Sequence, residues 1–392
     1  MKFAISKRPF GQAIRTAHTF SKAARTPQEI HGRDYAGPFR FPVALAAGPL
    51  GLEISAFDGK AILTQRVPAG VSASGSVSLD THMLRDALAG AKPRDIVTFE
   101  AQSDPAAATM AECRLLDDGT ETPLGRARTG SDGHRRLLLG ERLEARLEVP
   151  AAELAAIVAE TVFAASTDPI RYYLNGVFIE AHKGRLRAVA TDGLRMAIRD
   201  TDMPLAETAL PEDGCGKRGA ILPLRPLRAL RGLLKAGGSA TVEIWSGGVR
   251  FRCRAGEAAT AFLDGTFPDY RRVTPSGRMK SAPLDLAALA EAMKAAMPDP
   301  WSAGRWPKVT LNGSVTLTEC HGYSSDGEEK LLPVKCRIKG DPIGFEGRCL
   351  KDAGRAFGQV RTRIRYTGPK HPAVFVSPDR PELTVVQMPT RV

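Results

Sequence analysis

A chain of 392 residues, 43% hydrophobic and 25% charged, is too long for one ordinary hydrophobic core and has the composition of two or three globular domains. Its 55 Lys and Arg against 43 Asp and Glu give a net charge of +12, which favours a polyanionic partner, nucleic acid before membrane, because neutralised phosphates release condensed counterions. No apolar run approaches the ~20 residues of a membrane span, and the start MKFAISKRPFGQAIR has no signal-peptide core, so a cytosolic protein without a membrane partner is expected.

Taken in order, Lys2 to Ser6 reads as a short strand and Arg8 to Ala24 as a helix with Phe10, Ile14 and Ala17 on one side. Strands are expected at Phe41 to Ala46, Gly51 to Ala56 and Ala61 to Arg66. Asp80 then caps a helix whose stripe is Met83, Leu84 and Leu88, and Ile96 to Phe99 resumes strand. The polar, Gly-rich run DDGTETPLGRARTGSDGHRR, near 117–136, reads as an exposed, mobile insertion.

From Arg142 onward, Leu143, Ala145, Leu147 and Val149 alternate with charged residues as a half-buried strand. Pro150 opens a helix with Leu154, Ile157, Val158 and Val162 as its buried stripe. The stretch from Asp168 to Asp200 supplies three strands: Leu174, Val177 and Ile179 mark the first, and Leu186, Ala188 and Ala190 the second. Thr191-Asp192-Gly193 turns into the third, since Gly tolerates positive φ and Asp bonds its own downstream backbone. A helix from about Pro223 to Lys235 has Leu224, Leu227, Leu230 and Leu234 on one side and ends at Gly237-Gly238. Strands at Ala240 to Trp245 and Val249 to Cys253 form a hairpin. The last segment predicts a helix at Asp285 to Met297 and strands near Val309 to Leu311, Val315 to Glu319 and Leu331 to Ile338. A helix near Arg348 to Phe357 precedes strands at Val360 to Tyr366, Ala373 to Val376 and Leu383 to Val386.

Helix, three strands, helix and two or three strands thus recur three times. The pattern predicts an α+β fold of three repeated domains, 1–141, 142–276 and 277–392, each with two helices on antiparallel sheets. Basic residues sit opposite the apolar stripes: Arg225, Arg228, Arg231 and Lys235 on one helix, Arg348, Lys351 and Arg355 on another, and Lys7, Arg15, Lys22 and Arg25 along the first. Were the repeats to form an arc, these faces would line one positive surface.

Chemistry-bearing motifs are missing. There is no phosphate loop, no G-x-G-x-x-G after a strand and no H-E-x-x-H or C-x-x-C, so no catalytic residue, metal or cofactor is expected. The six cysteines are scattered and read as reduced, semi-buried residues.

The segments RYYLNGVFIE, LRAVATDGLRMA and DGTFPDYRRVTP, in that order, and the ending VVQMPTRV resemble the bacterial β sliding clamp, the β subunit of DNA polymerase III. The resemblance is strong from Arg142 to Pro275, moderate to Val392 through IGFEGRCLKDAGRAFG, and weak before residue 140. It implies a non-catalytic processivity factor, a head-to-tail ring homodimer around double-stranded DNA, cytoplasmic and nucleoid-associated. Sliding needs only diffuse, sequence-independent charge on the inner face. The implied partners are the DNA polymerase III core, the clamp loader and other proteins carrying a clamp-binding motif.

Two sets of site residues follow from the resemblance. Tyr172 and Tyr173, with Arg25, match positions that approach DNA, although one tyrosine of the pair would serve equally in the core. A pocket for short peptides with aliphatic or aromatic anchors matches Leu174, Thr191, Gly193, Leu194, Arg195, Met196, Pro268, Arg272 and Val273, with Met388, Pro389, Thr390 and Arg391 from the tail and Trp306 as an aromatic edge. Leu194 replaces the family's His, Gln387 and Thr390 replace apolar tail residues, and Glu346 and Cys349 stand where polar and aromatic pocket residues are common. These departures fit a divergent paralogue or a mobile-element version. Two other readings stay open: an open or monomeric basic DNA-associated adaptor with the same fold, and a nucleic-acid hydrolase motivated only by charge.

Overall fold

The computed structural model describes residues 1–21, 42–89, 96–104, 107–118, 120–129, 139–212, 216–275, 277–296, 305–321, 329–336 and 338–390. The chain divides into two compact units, Met1–Ala155 with Arg225–Phe262, and Ala156–Leu224 with Leu263–Val392. Both are α+β with antiparallel sheets.

The first unit is built on a 13-stranded sheet. Its order is Leu143–Pro150, Ser239–Trp245, Gly248–Cys253, Gly256–Ala261, Ala61–Val67, Gly51–Phe57, Val43–Gly48, Gly75–Leu79, Thr120–Thr129, Ala107–Asp117, Ile96–Asp104, Lys2–Ser6 and Gly70–Ala73. Helix α1 (Lys7–Phe20) and helix α2 (Thr81–Ala89) pack together, and Asp80 caps α2 by accepting the His82 N–H at 2.9 Å. The core is aromatic at one end, where Phe3 stacks on Phe99 at 5.1 Å and meets Phe10 edge-on at 5.8 Å.

Residues 120–129, expected within a mobile insertion, are instead a full strand paired with Ala107–Asp117. Polar composition hid it: only Leu124 and Ala127 are buried along this strand, so the hydrophobic alternation that marks a strand is nearly absent. Residues 130–136 of that run lie outside the described residues, as do Lys22 and Arg25. Lys7 is a second correction. It is buried and ion-paired with Asp117 rather than part of a basic face, because its place in the first turn of α1 tucks its stem inward.

The second unit contains an eight-stranded sheet in the order Ala220–Pro223, Gly176–His182, Arg185–Thr191, Arg195–Pro204, Leu383–Gln387, Ala373–Val376, Arg363–Tyr366 and Lys280–Pro283. A three-stranded sheet runs Glu329–Cys336, Arg305–His321, Ile343–Glu346. Arg305–His321 is one 17-residue strand where two were expected; Gly313 takes φ +72° and the register shifts between Gly313 and Val315 without breaking the pairing. Helix α3 (Ala151–Thr161) leads into this unit, α4 (Leu224–Leu234) leaves it, and α5 (Leu286–Ala296) packs on α6 (Gly347–Phe357). Segment 142–276 gives strands to both large sheets, so the two units do not follow boundaries at 141 and 276.

Gly354 lets α5 and α6 approach closely. A Cβ there would lie 2.4 Å from the Leu286 carbonyl oxygen, well inside van der Waals contact with backbone that has little room to yield. Gly354→Ala is expected to cost about 1–3 kcal/mol, read as a lower urea midpoint at unchanged slope.

Candidate functional site

The turn after Arg185–Thr191 is held from within by its own side chains. Oδ1 of Asp192 accepts the N–H groups of Leu194 and Arg195 at 2.9 and 3.0 Å, and Gly193 adopts φ +91°. The Thr191 hydroxyl donates to the Arg195 carbonyl at 2.7 Å and accepts the Gly193 N–H at 3.1 Å. Arg195, itself buried, donates from Nε to Asp192 at 3.0 Å and from Nη1 to Asp352 of α6 at 2.7 Å, with its guanidinium 5.6 Å from the Phe163 ring centre. Arg195 therefore clasps the turn to a helix through Nε and Nη1.

Strand Arg195–Pro204 pairs with the C-terminal strand in the register Arg195↔Gln387 and Met196↔Val386, and the Met388 N–H donates to the Leu194 carbonyl at 2.8 Å. The tail is thereby brought beside the turn. Between them opens a pocket of about 180 Å³. Buried Leu174, Met196, Tyr270 and Val386 make an apolar floor, Pro268 adds a wall, and Leu194, Val273 and Met388 stand exposed at the rim. Leu174 arrives from a 3-10 turn, Tyr172–Leu174, and not from the strand expected there. Tyr270 is fixed by donating to Glu180, which also takes two bonds from Arg271 at 2.7 and 2.8 Å; burial pushes the Tyr270 hydroxyl up to about 12.

Of the residues read from the sequence as pocket walls, Leu174, Thr191, Gly193, Leu194, Arg195, Met196, Pro268, Val273 and Met388 come together. Arg272 does not line the cavity: its side chain is 84% exposed and sits 3.3 Å from Asp269. Pro389 and Thr390 also fall outside the lining, Thr390 because its N–H donates to the Gly344 carbonyl at 2.9 Å and carries the tail away. Arg391 is outside the described residues, and nothing is described of the Trp306 side chain. Asp269, Tyr270 and Val386 were missed; period-two alternation with Met388 would have found Val386. The same alternation puts buried Gln387 on the opposite face, where its Nε2 donates to the Glu346 carbonyl at 3.4 Å.

The residues expected to face DNA differ in how free they are. On α4, Arg228 and Arg231 are exposed, as is Lys235 just past its end, whereas Arg225 lies 3.4 Å from buried Asp58. Burial raises the Asp58 carboxyl above its usual range, and the Arg225 charge opposes that rise. On α6, Arg355 is exposed, Lys351 is half-buried, and Arg348 pairs with Glu346 at 3.1 Å. Tyr172 is half-exposed, while Tyr173, edge-on to it at 5.9 Å, packs against the core that includes Leu174 and Phe178.

Comparison with known proteins agrees with this architecture. A family profile described as DNA polymerase III beta subunit, central domain, matches residues 148–269. A beta sliding clamp of Caulobacter vibrioides is 32% identical over 264 residues, 65% of this chain and 68% of the relative. One from Treponema pallidum is 26% identical over 89% of this chain and 91% of its own length. Among solved structures, a β sliding clamp of Caulobacter crescentus superposes with TM-score 0.76 at 24% identity, covering 100% of this chain and 99% of its own. A sliding clamp of Bartonella birtlesii, solved bound to griselimycin, gives TM-score 0.75 at 21% identity with full coverage of both chains.

The chain belongs to the β sliding clamp family, the β subunit of DNA polymerase III. It is a DNA sliding clamp, a non-catalytic processivity factor of replication.

Cys349 of α6 gives a pH-dependent test of the fold around the clasp. Burial pushes its thiol up to about 12, against the pull of the nearby Arg195 charge. Between the unfolded-state value of about 8.5 and that folded-state value, the native state holds a proton the unfolded chain has released, so stability falls as pH rises, by at most about 1.4 kcal/mol per pH unit per thiol. Denaturation midpoints should drop from pH 8 to pH 10.5, with a shallower drop in Cys349→Ala. An identical slope in the variant would show that this thiol is not linked to folding.

Proposed function

We propose that the protein acts as a closed head-to-tail dimer of three-domain chains around double-stranded DNA, without sequence preference. The observation that carries this reading is a repeated sheet junction. Gly256–Ala261 pairs antiparallel with Ala61–Val67 within the first unit, and Leu383–Gln387 with Arg195–Pro204 within the second. In terms of the repeat, the last strand of one domain joins the third long strand of another each time. The strands left over are Thr120–Thr129 and Glu329–Cys336. Among the described residues, the former pairs beyond its hairpin with Gly75–Leu79 through just Val77↔Thr129 and Ser78↔Arg128, and the latter has a neighbour on one side. Pro123 and Pro333 suit such edges. A second copy would join them and remove both edges.

Within that ring, Arg228, Arg231, Lys235 and Arg355, with Tyr172, would face DNA, and the pocket would take the apolar anchors of the DNA polymerase III core, the clamp loader and other clamp-binding-motif proteins. The pocket's apolar floor and exposed Leu194, Val273 and Met388 fit such anchors. The protein would work in the cytoplasm on the nucleoid.

Protein loaded on nicked circular DNA should be retained through gel filtration at 0.5 M salt and lost once the circle is cut; equal retention on both would exclude a ring. Leu331→Asp, on the open edge strand, should raise the dimer dissociation constant at least about tenfold, measured by sedimentation; an unchanged constant would move the junction elsewhere. Removing 388–392 should abolish binding of a peptide with a Leu-Leu-Phe anchor and leave the dimer intact, and unchanged peptide affinity would refute the pocket assignment.

A further inference from the structure

One row of cross-strand partners leads away from the pocket floor. Met196 faces Val386, Val386 faces Val374, Val374 faces Arg365 and Arg365 faces Ser281. Two residues along, a second row runs Ile198, Thr384, Val376, Arg363 and Pro283. Because strand side chains alternate, both rows lie on one face of the sheet, the face that carries Met196 and Val386 into the pocket. Arg365 is two strand spacings from Val386, about 10 Å, a gap that about three extended residues span.

Arg363 and Arg365 are both exposed, and among the described residues neither pairs with a carboxylate. Arg363 donates from Nε to the Ser281 hydroxyl at 3.0 Å and also lines a neighbouring groove of about 710 Å³ with Lys335 and Arg361. The acids there are otherwise engaged: Asp379 binds Arg361 and Asp285 caps α5 through the Ala288 N–H. Among the described residues, the carboxylates beside the pocket are also ion-paired, Asp192 with Arg195 and Asp269 with Lys217 and Arg272.

We propose that the pocket's partner carries an acidic segment next to its apolar anchor, and that Arg365 and Arg363 hold that segment. The inference rests on the pocket reading. It commits to an acidic peptide because the surface is continuous with the pocket, within reach of a short flank, and has unpaired guanidinium groups suited to carboxylates. Partners with neutral or basic flanks then bind through the anchor alone.

The test uses fluorescein-labelled peptides with a Leu-Leu-Phe anchor, carrying four Glu on the amino or the carboxyl side, against the same peptides with Gln. Anisotropy titration of the full-length protein at 50 mM salt should show one Glu peptide binding about three- to tenfold tighter than its Gln counterpart. That advantage should vanish at 0.5 M salt and in R363Q/R365Q, with Gln-peptide affinity unchanged. The single variant Arg365→Gln should lose part of it. Equal affinities of Glu and Gln peptides for the unmodified protein, or an advantage that survives in the double variant, would overturn the acidic flank while leaving the pocket standing. Failure of all peptides to bind would overturn the pocket reading and this one with it.

Discussion

The pairing of Arg195–Pro204 with Leu383–Gln387 is the constraint on which the second unit depends. Residues almost two hundred positions apart meet there in one fixed register, and the pocket exists because they do. Met196 and Val386 share a face as partners in that register; a slip of one residue would turn Val386 and Met388 away and bring Gln387 forward. The apolar floor is thus a product of register more than of composition. Long-range pairing of this kind closes a large loop before any contact rewards it, so the junction needs reinforcement.

Ion pairs supply it on one face of the strand pair, the face opposite the pocket. Arg195 ties the turn at Asp192 to Asp352, and on the same strand Arg199 meets Glu160 at 2.8 Å, which also receives Arg380 at 2.6 Å. Arg380 is shared further with Glu382 at 3.0 Å and the Ala356 carbonyl at 3.3 Å. Desolvation raises the Glu160 carboxyl, and the two guanidinium groups oppose it. Such buried pairs add little net stability over apolar residues of the same shape, but losing one member leaves an uncompensated charge. Their effect here is to make one alignment of α3, the two strands and α6 far better than its neighbours.

Much of this was legible in the sequence for a definite reason. Leucine spacing on α4, the β-branched and aliphatic residues of Gly176–His182, alternation in Arg185–Thr191, and the Thr191-Asp192-Gly193 turn are local patterns, and local physics decided them. Leu174, Leu194, Met196 and Met388 were found through a family resemblance, since nothing local brings a C-terminal tail to a turn at 193. What escaped had weak local signals. Thr120–Thr129 has too few apolar residues to alternate, and Arg272 sits in a run of pocket residues yet points to solvent because a 3-10 turn at Tyr270–Arg272 rotates it outward.

Net charge is the other property whose meaning changed. A stripe of basic residues at helical spacing counts every member equally, but burial and pairing do not. Lys7, Arg225 and Arg348 each have a carboxylate nearby, whereas Arg228 and Arg231 on one helix, and Lys235 just past its end, are exposed. If that helix faces DNA as proposed, the effective field on the duplex would be that of the exposed members, screened within about 8 Å at physiological salt. Weak, unlocalised attraction of that kind suits a clamp whose hold on DNA would be topological: strong local contacts would deepen the wells between which it must slide, whereas a few solvated guanidinium and ammonium groups would keep the duplex centred without fixing its position.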